Sequence, residues 1–112
     1  MAANSRLKFS DGHLDLVRSG AKKITLRLYR PDAHDYKNGQ KFLGVFPPND
    51  YLCVLRAIAD TELFPANSIP DDVAKEDGFS GGSDAYEGLK KYYGDQLKAD
   101  STIACIRFAY PA

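Results

Sequence analysis

The stretch "SGAKKITLRLYR", Ser19 to Arg30, sets Lys22 three residues and Lys23 two residues ahead of Thr25, and Arg27 two residues behind it. A threonine hydroxyl attacks a carbonyl only when a base removes its proton. A lysine amine serves as that base only when burial or neighbouring cations keep part of it neutral. Lys22, Lys23 and Arg27 are such neighbours for one another, and a bend after Gly20 brings the Lys22 amine back beside Thr25. The same spacing also describes a plain strand with one wet side, in which Thr25 serves β-propensity and Arg27 solubility. A second concentration of chemistry lies in "KEDG", Lys75 to Gly78, where Glu76 and Asp77 stand side by side. Carboxylates at a helix C-terminus oppose the macrodipole, so the pair costs a little stability and points to a function. An exposed helix end is its plain alternative.

The remaining reactive side chains are weaker candidates. His13 and His34 are too few and too scattered for a metal cluster. Cys53 and Cys105 sit inside the apolar runs "YLCVL" and "TIACIRF" and read as small buried hydrophobes. "GFSGGS" lacks the lysine and the spacing of a phosphate-binding loop and reads as a mobile link. Tyr92 and Tyr93 suit stacking on bases, but at the end of an amphipathic helix at least one belongs to the core.

Charge is distributed unevenly. Fifteen basic and fifteen acidic residues cancel, which argues against a bulk phosphate-binding surface. From Arg18 to Lys41, however, seven basic residues face two acidic ones, and from Asp60 to Glu87 eight acidic residues face one basic. One region donates cations and the other carboxylates.

The elements that must position these groups follow from period and punctuation. "RLKF" is a short strand, and "SDGHLDLVRSG" is a helix capped by Ser10 or Asp11 and stopped by Gly20. "KITLRLY" alternates, so Ile24, Leu26 and Leu28 fasten one face to the barrel while Lys23, Thr25, Arg27 and Tyr29 point the other way. "RPDAHDYKNG" is a loop ending in an Asn-Gly turn, and "QKFLGVF" is a strand. "YLCVLRAIAD" is a long strand whose continuous apolar run predicts burial on both faces. "TELFPANSIPDDVAKEDGF" holds a short helix starting at Ser68 and Pro70 and ending at Gly78. Asp84 and Glu87 are spaced as a capping box for "AYEGLKKYYG", in which Tyr86, Leu89 and Tyr93 share a face, and "STIACIRFAY" is the last strand.

A chain of 112 residues buries roughly two thirds of its unfolded surface, enough for one core without disulfides or metal. With no repeat or long linker, the expected organisation is a single domain over residues 1–112. No stretch nears the roughly 20 apolar residues of a membrane span, and "MAANSRLKF" has no hydrophobic leader core, so the expected location is the cytoplasm, away from membranes. The expected fold is α+β, a small β-barrel of five or six strands with two or three peripheral helices.

Several motifs in order, "SGAKKITLR" after a short helix, "YKNGQKF", "DGF", a helix ending in "YYG" and a closing hydrophobic strand, resemble the ASCH domains, a branch of the PUA-like barrels. The most specific element is G-x-K-x-x-T-x-R, met by Gly20, Lys22, Thr25 and Arg27. The resemblance implies a cleft between barrel and helices and a ligand drawn from RNA or modified nucleosides. Small single-domain members remove the acetyl group from N(4)-acetylcytidine with a Lys, a Thr and a Glu. Those roles fall on Lys22, Thr25 and Asp77, the last shorter by one methylene than the family's Glu, with Glu76 as the other candidate carboxylate. The resulting expectation is an amidohydrolase in which Lys22 activates Thr25 and Asp77 assists. Arg27 and Tyr29 would hold base and sugar, Phe79 would stack on the ring, and no cofactor or metal would be needed. The alternatives are a non-catalytic RNA or modified-base reader and a ribonuclease, the latter weakened by the lack of a well-placed histidine.

Overall fold

The structure is a computed structural model and describes residues 6–112, so part of the stretch read for a leader lies outside the described residues. The described residues form six strands and four α-helices in the order β1 Arg6–Lys8, α1 His13–Arg18, β2 Ile24–Leu28, α2 Pro31–His34, β3 Lys41–Phe46, β4 Tyr51–Ala57, β5 Glu62–Pro65, α3 Asp71–Glu76, α4 Gly82–Tyr93 and β6 Thr102–Ala109. The mixed α+β, barrel-like architecture is the expected one. The extra helix is α2, a single turn opened by Pro31 inside the segment expected as a loop. Among the described residues no helix is long and apolar enough to cross a membrane.

β6 is the hub of the sheet. Its antiparallel partners are β2, from Ile24 opposite Arg107 to Leu28 opposite Ile103, and β5, from Glu62 opposite Cys105 to Pro65 opposite Thr102. Its last residues pair with β4, which pairs in turn with β3, and β3 takes β1 as a parallel neighbour. Because side chains alternate along a strand, β6 serves two cores. Ile106 and Phe108 join Phe9, Phe42, Phe46 and Leu55 inside the barrel, where the Phe9 and Phe46 rings stack with centroids 4.7 Å apart. Ile103 and Cys105 join Ile24, Leu26, Val73, Ala85 and Leu89 in a second core under α3 and α4.

That second core corrects one expectation. The apolar side of β2 is fastened to the helices, not to the barrel interior, because β6 presents Ile103 and Cys105 on that face.

β4 corrects another. Only Cys53, Leu55 and Ala57 point inward, while Leu52 and Val54 remain 45% and 48% exposed. Cross-strand pairing sets Leu52 against Val45, Val54 against Leu43 and Arg56 against Lys41, with Arg6 and Lys8 beyond them on β1. This outer face of β1, β3 and β4 carries four cations around an aliphatic centre, and these three strands contain no acidic residue.

The caps differ from expectation as well. α1 follows Gly12 at φ 85° without a side-chain cap, and α3 follows Pro70 after a short 3-10 turn, Ala66–Ser68. α4 begins at Gly82, whose amide donates to Asp71 Oδ1 at 2.7 Å, while Asp84 Oδ2 accepts from the Ser80 amide at 2.9 Å. "SGGS" is therefore a packed junction and not a mobile link: a Cβ on Gly82 would lie 2.0 Å from the Ile69 carbonyl oxygen.

Candidate active site

Two chain reversals and helix α4 build one cleft. After α1 the chain turns through Gly20 at φ 83°, and the Lys22 amide donates to the Leu16 carbonyl at 2.9 Å, which fixes the start of β2 against α1. At the end of α3, Gly78 at φ 93° lets the Phe79 amide return to the Ala74 carbonyl at 3.0 Å, which turns Asp77 towards β2. α4 then brings Gly88 close against the Phe79 ring and adds Tyr92 and Tyr93 to the wall. The cleft encloses about 390 Å³ between the end of β1, α1, β2, the end of α3 and α4. Small-molecule pockets commonly have this size.

Lys22 and Asp77 meet on its floor. The Lys22 amine donates to Asp77 Oδ1 at 2.5 Å, with side chains only 12% and 9% exposed. Asp77 Oδ2 accepts the Leu26 amide at 3.3 Å, so one carboxylate ties α3 to β2 and holds the lysine. Next to them Thr25 is buried, and Arg27 Nε donates to its Oγ1 at 3.0 Å. The guanidinium lies 5.1 Å from the centroid of the Phe9 ring, a cation–π distance. Burial draws Arg27 below the ordinary arginine value, opposed by Tyr93, Tyr92, Asp77 and Tyr36.

The structure thus brings Lys22, Thr25, Arg27, Asp77 and Phe79 to one cavity, with Glu76 at its margin. It separates the two neighbouring carboxylates by partner: Asp77 bonds Lys22, whereas Glu76 accepts from Arg107 Nη2 at 2.8 Å beside the Arg107–Glu62 pair at 2.6 Å. The two acids at the end of α3 are in this way each matched by a cation, Lys22 from the turn before β2 and Arg107 from β6. The spacing-based contact between Lys22 and Thr25 is replaced by the Lys22–Asp77 and Thr25–Arg27 bonds. Tyr29 is not part of the cleft wall, because its hydroxyl is drawn to the Asp35 carboxylate at 2.8 Å beside α2.

The cleft also holds Lys8, Ser10 and His13, none of which the sequence assigned to the site. His13 opens α1, and its pKa is lowered first by burial and then by Lys22, with Asp77 opposing. A histidine is thus present where the sequence suggested none, and the only linear clue is its place one helix ahead of the "GAKKIT" turn. Tyr92 and Tyr93 divide as expected: Tyr93 packs on the helical core, Tyr92 is 74% exposed, and the rings meet edge-on at 4.9 Å.

No family model matches the sequence, and no curated protein matches it. The fold does match solved structures. A protein of Enterococcus faecalis V583 described by the family model DUF984 superposes with a TM-score of 0.68 at 20% identity. The match covers 85% of this chain and 64% of that protein, so the chain spans a little under two thirds of that protein's length. An ASCH domain from Lactobacillus crispatus JV V101 superposes with a TM-score of 0.64 at 14% identity, over 94% of this chain and 79% of that one. A Pyrococcus furiosus protein solved by NMR gives 0.52 at 16% identity, over 92% and 96%. The chain therefore has an ASCH-like fold, a small barrel-like sheet with peripheral helices.

Proposed function

We propose that the protein is an amidohydrolase that removes the acyl group from N(4)-acylated cytosine nucleosides or bases, with Thr25 as nucleophile. The observation that carries this reading is the convergence of Thr25, Arg27 and the Lys22–Asp77 pair in one nucleoside-sized cleft. Arg27 fixes the Thr25 oxygen by donating to it, which leaves that oxygen's own proton free to depart as a C–O bond forms to the acyl carbon. The Lys22 ammonium, held by Asp77, is set to offset charge developing on the carbonyl oxygen. Expulsion of the cytosine amine leaves an acyl-threonine, which water hydrolyses. Phe79, Tyr92 and Tyr93 give a pyrimidine ring flat surfaces to lie against. A net charge of zero suits a small neutral substrate.

The test is release of cytidine from N(4)-acetylcytidine by the wild type beside Lys22→Ala and Thr25→Ala. Turnover by wild type and its loss in Thr25→Ala are expected. Undiminished turnover in Thr25→Ala would remove the nucleophile, and an inactive wild type across several acyl groups would remove the hydrolase.

The second reading is an RNA-binding module, favoured by the outer sheet face bearing Arg6, Lys8, Lys41 and Arg56, on which Asp50 of the β3–β4 turn sits beside Arg6 and Lys8. Lys8 lies both on that face and in the cleft wall, so a phosphate chain crossing the sheet would lead a base into the cleft. Affinity for a single-stranded RNA would then fall steeply with salt, and a flat salt dependence would exclude this reading.

A further inference from the structure

In the cleft the Lys22 amine donates to Asp77, and the Thr25 oxygen accepts from Arg27. An amine engaged as a donor to a carboxylate is poorly placed to take a proton, and among the described residues no side chain accepts the Thr25 proton. A nucleophile in this site therefore needs another base.

The available acceptors differ sharply. Both Asp77 oxygens are occupied, one by Lys22 and one by the Leu26 amide, and Glu76 is held by Arg107. The hydroxyls of Tyr92 and Tyr93 are weak bases in their protonated form. His13 alone combines a ring nitrogen with freedom: it lines the cleft from the first turn of α1, is half-buried, and its side chain makes no hydrogen bond among the described residues. The charges facing it are Lys8 from β1, Lys22 from the turn before β2, Arg27 from β2 itself, and Glu76 and Asp77 from the end of α3, with both acids already matched by cations. Burial, Lys22 and Arg27 lower the pKa of His13 against Asp77, so the imidazole is neutral at pH 7 and able to accept a proton.

We propose that His13 is the proton carrier of the cleft, base to the attacking oxygen and acid to the leaving amine. The proposal rests on the hydrolase reading above. As the Thr25 oxygen bonds to the acyl carbon, its proton passes to the imidazole and the carbonyl electron pair moves onto oxygen. When the carbonyl re-forms, the C–N bond breaks, and the imidazolium returns the proton to the departing nitrogen, so cytidine leaves as a neutral amine. A water molecule then gives one proton to His13 and attacks the ester, and the proton goes back to the Thr25 oxygen as the carboxylic acid departs.

The deciding experiment is the pH dependence of N(4)-acetylcytidine hydrolysis by wild type, His13→Gln and His13→Ala, with thermal melts to confirm that each variant folds. Wild-type kcat/KM is expected to fall on an acid limb placed below the ordinary histidine value. His13→Gln should lose roughly 10²- to 10⁴-fold in kcat with little change in KM, and should lose that limb. Added imidazole should restore part of the rate to His13→Ala. A folded His13→Gln with wild-type kcat and an unchanged acid limb would overturn the assignment while leaving the hydrolase intact. A wild type that releases no cytidine would remove the hydrolase reading, and this assignment with it.

Discussion

Thr25 and His34 are the two buried polar side chains of the described core, and each is tolerated because a neighbour satisfies it. Thr25 has Arg27, whereas His34 accepts the Arg30 amide on Nδ1 at 3.0 Å, a bond that requires the unprotonated nitrogen. Burial, with help from Arg27 and Arg30, pushes His34 down from 6.5 to about 4. A folded-state value below the unfolded one means that the unfolded chain binds the proton first as pH falls. The contribution of His34 to stability is therefore complete above pH 6.5 and is lost progressively down to about pH 4. Urea midpoints across this window should show wild type losing on the order of 2 kcal/mol more than His34→Gln. Parallel pH curves for the two proteins would contradict it. The cysteines meet their sequence expectation at this scale: Cys53 and Cys105 are buried free thiols, and burial pushes Cys105 up to about 11.

At the scale of elements, the site depends on how closely α4 can approach its neighbours. A Cβ at Gly82 meets the Ile69 carbonyl at 2.0 Å, and one at Gly88 meets the Phe79 ring at 2.6 Å. The first obstacle is backbone, whereas the second is the end of a side chain that can rotate. Gly82→Ala should therefore cost about 3 kcal/mol or more in urea unfolding. Gly88→Ala should stay within about 1 kcal/mol of wild type, since added helix propensity offsets the displaced ring. Its effect should appear instead in KM, because the Phe79 ring forms part of the cleft wall. Equal stability losses in the two variants would show that α4 moves as a unit. Neither glycine stood out in the sequence: Gly82 was hidden in a stretch whose composition suggested flexibility, and packing against Ile69 gives it the opposite role.

For the whole molecule, β4 separates inside from outside. Leu55 is fully buried in the barrel, while Leu52 is 45% exposed on the bare outer face. Leu55→Ala should cost about 3 kcal/mol through lost contacts and a cavity. Leu52→Gln should change stability by less than about 0.5 kcal/mol, as surface substitutions do. Comparable losses would restore the picture of a strand buried on both sides. The apolar run "YLCVL" concealed this difference because composition cannot say whether anything packs on a second face. β5 escaped notice for a related reason: four residues ending in proline carry little strand signal, and it is the open edge of β6 that makes them one.

The sequence by itself determined the parts whose signals are local. The alternation of "KITLRLY", the glycine stops at Gly20, Gly78 and Gly94, and the G-x-K-x-x-T-x-R spacing each follow from side-chain period or from backbone freedom at positive φ. They marked Lys22, Thr25 and Arg27, and separately the carboxylates before Gly78, as candidates and indicated an α+β barrel, while the resemblance to ASCH domains joined them in one site. Tertiary structure decided the pairings. Asp77 rather than Glu76 meets Lys22, Arg27 rather than Lys22 meets Thr25, Tyr29 turns away to Asp35, and His13 enters the cleft. Hydrogen bonds and ion pairs act over about 3 Å. Such distances between residues far apart in the chain exist only once β6 has gathered β2, β4 and β5 and set α3 and α4 across them.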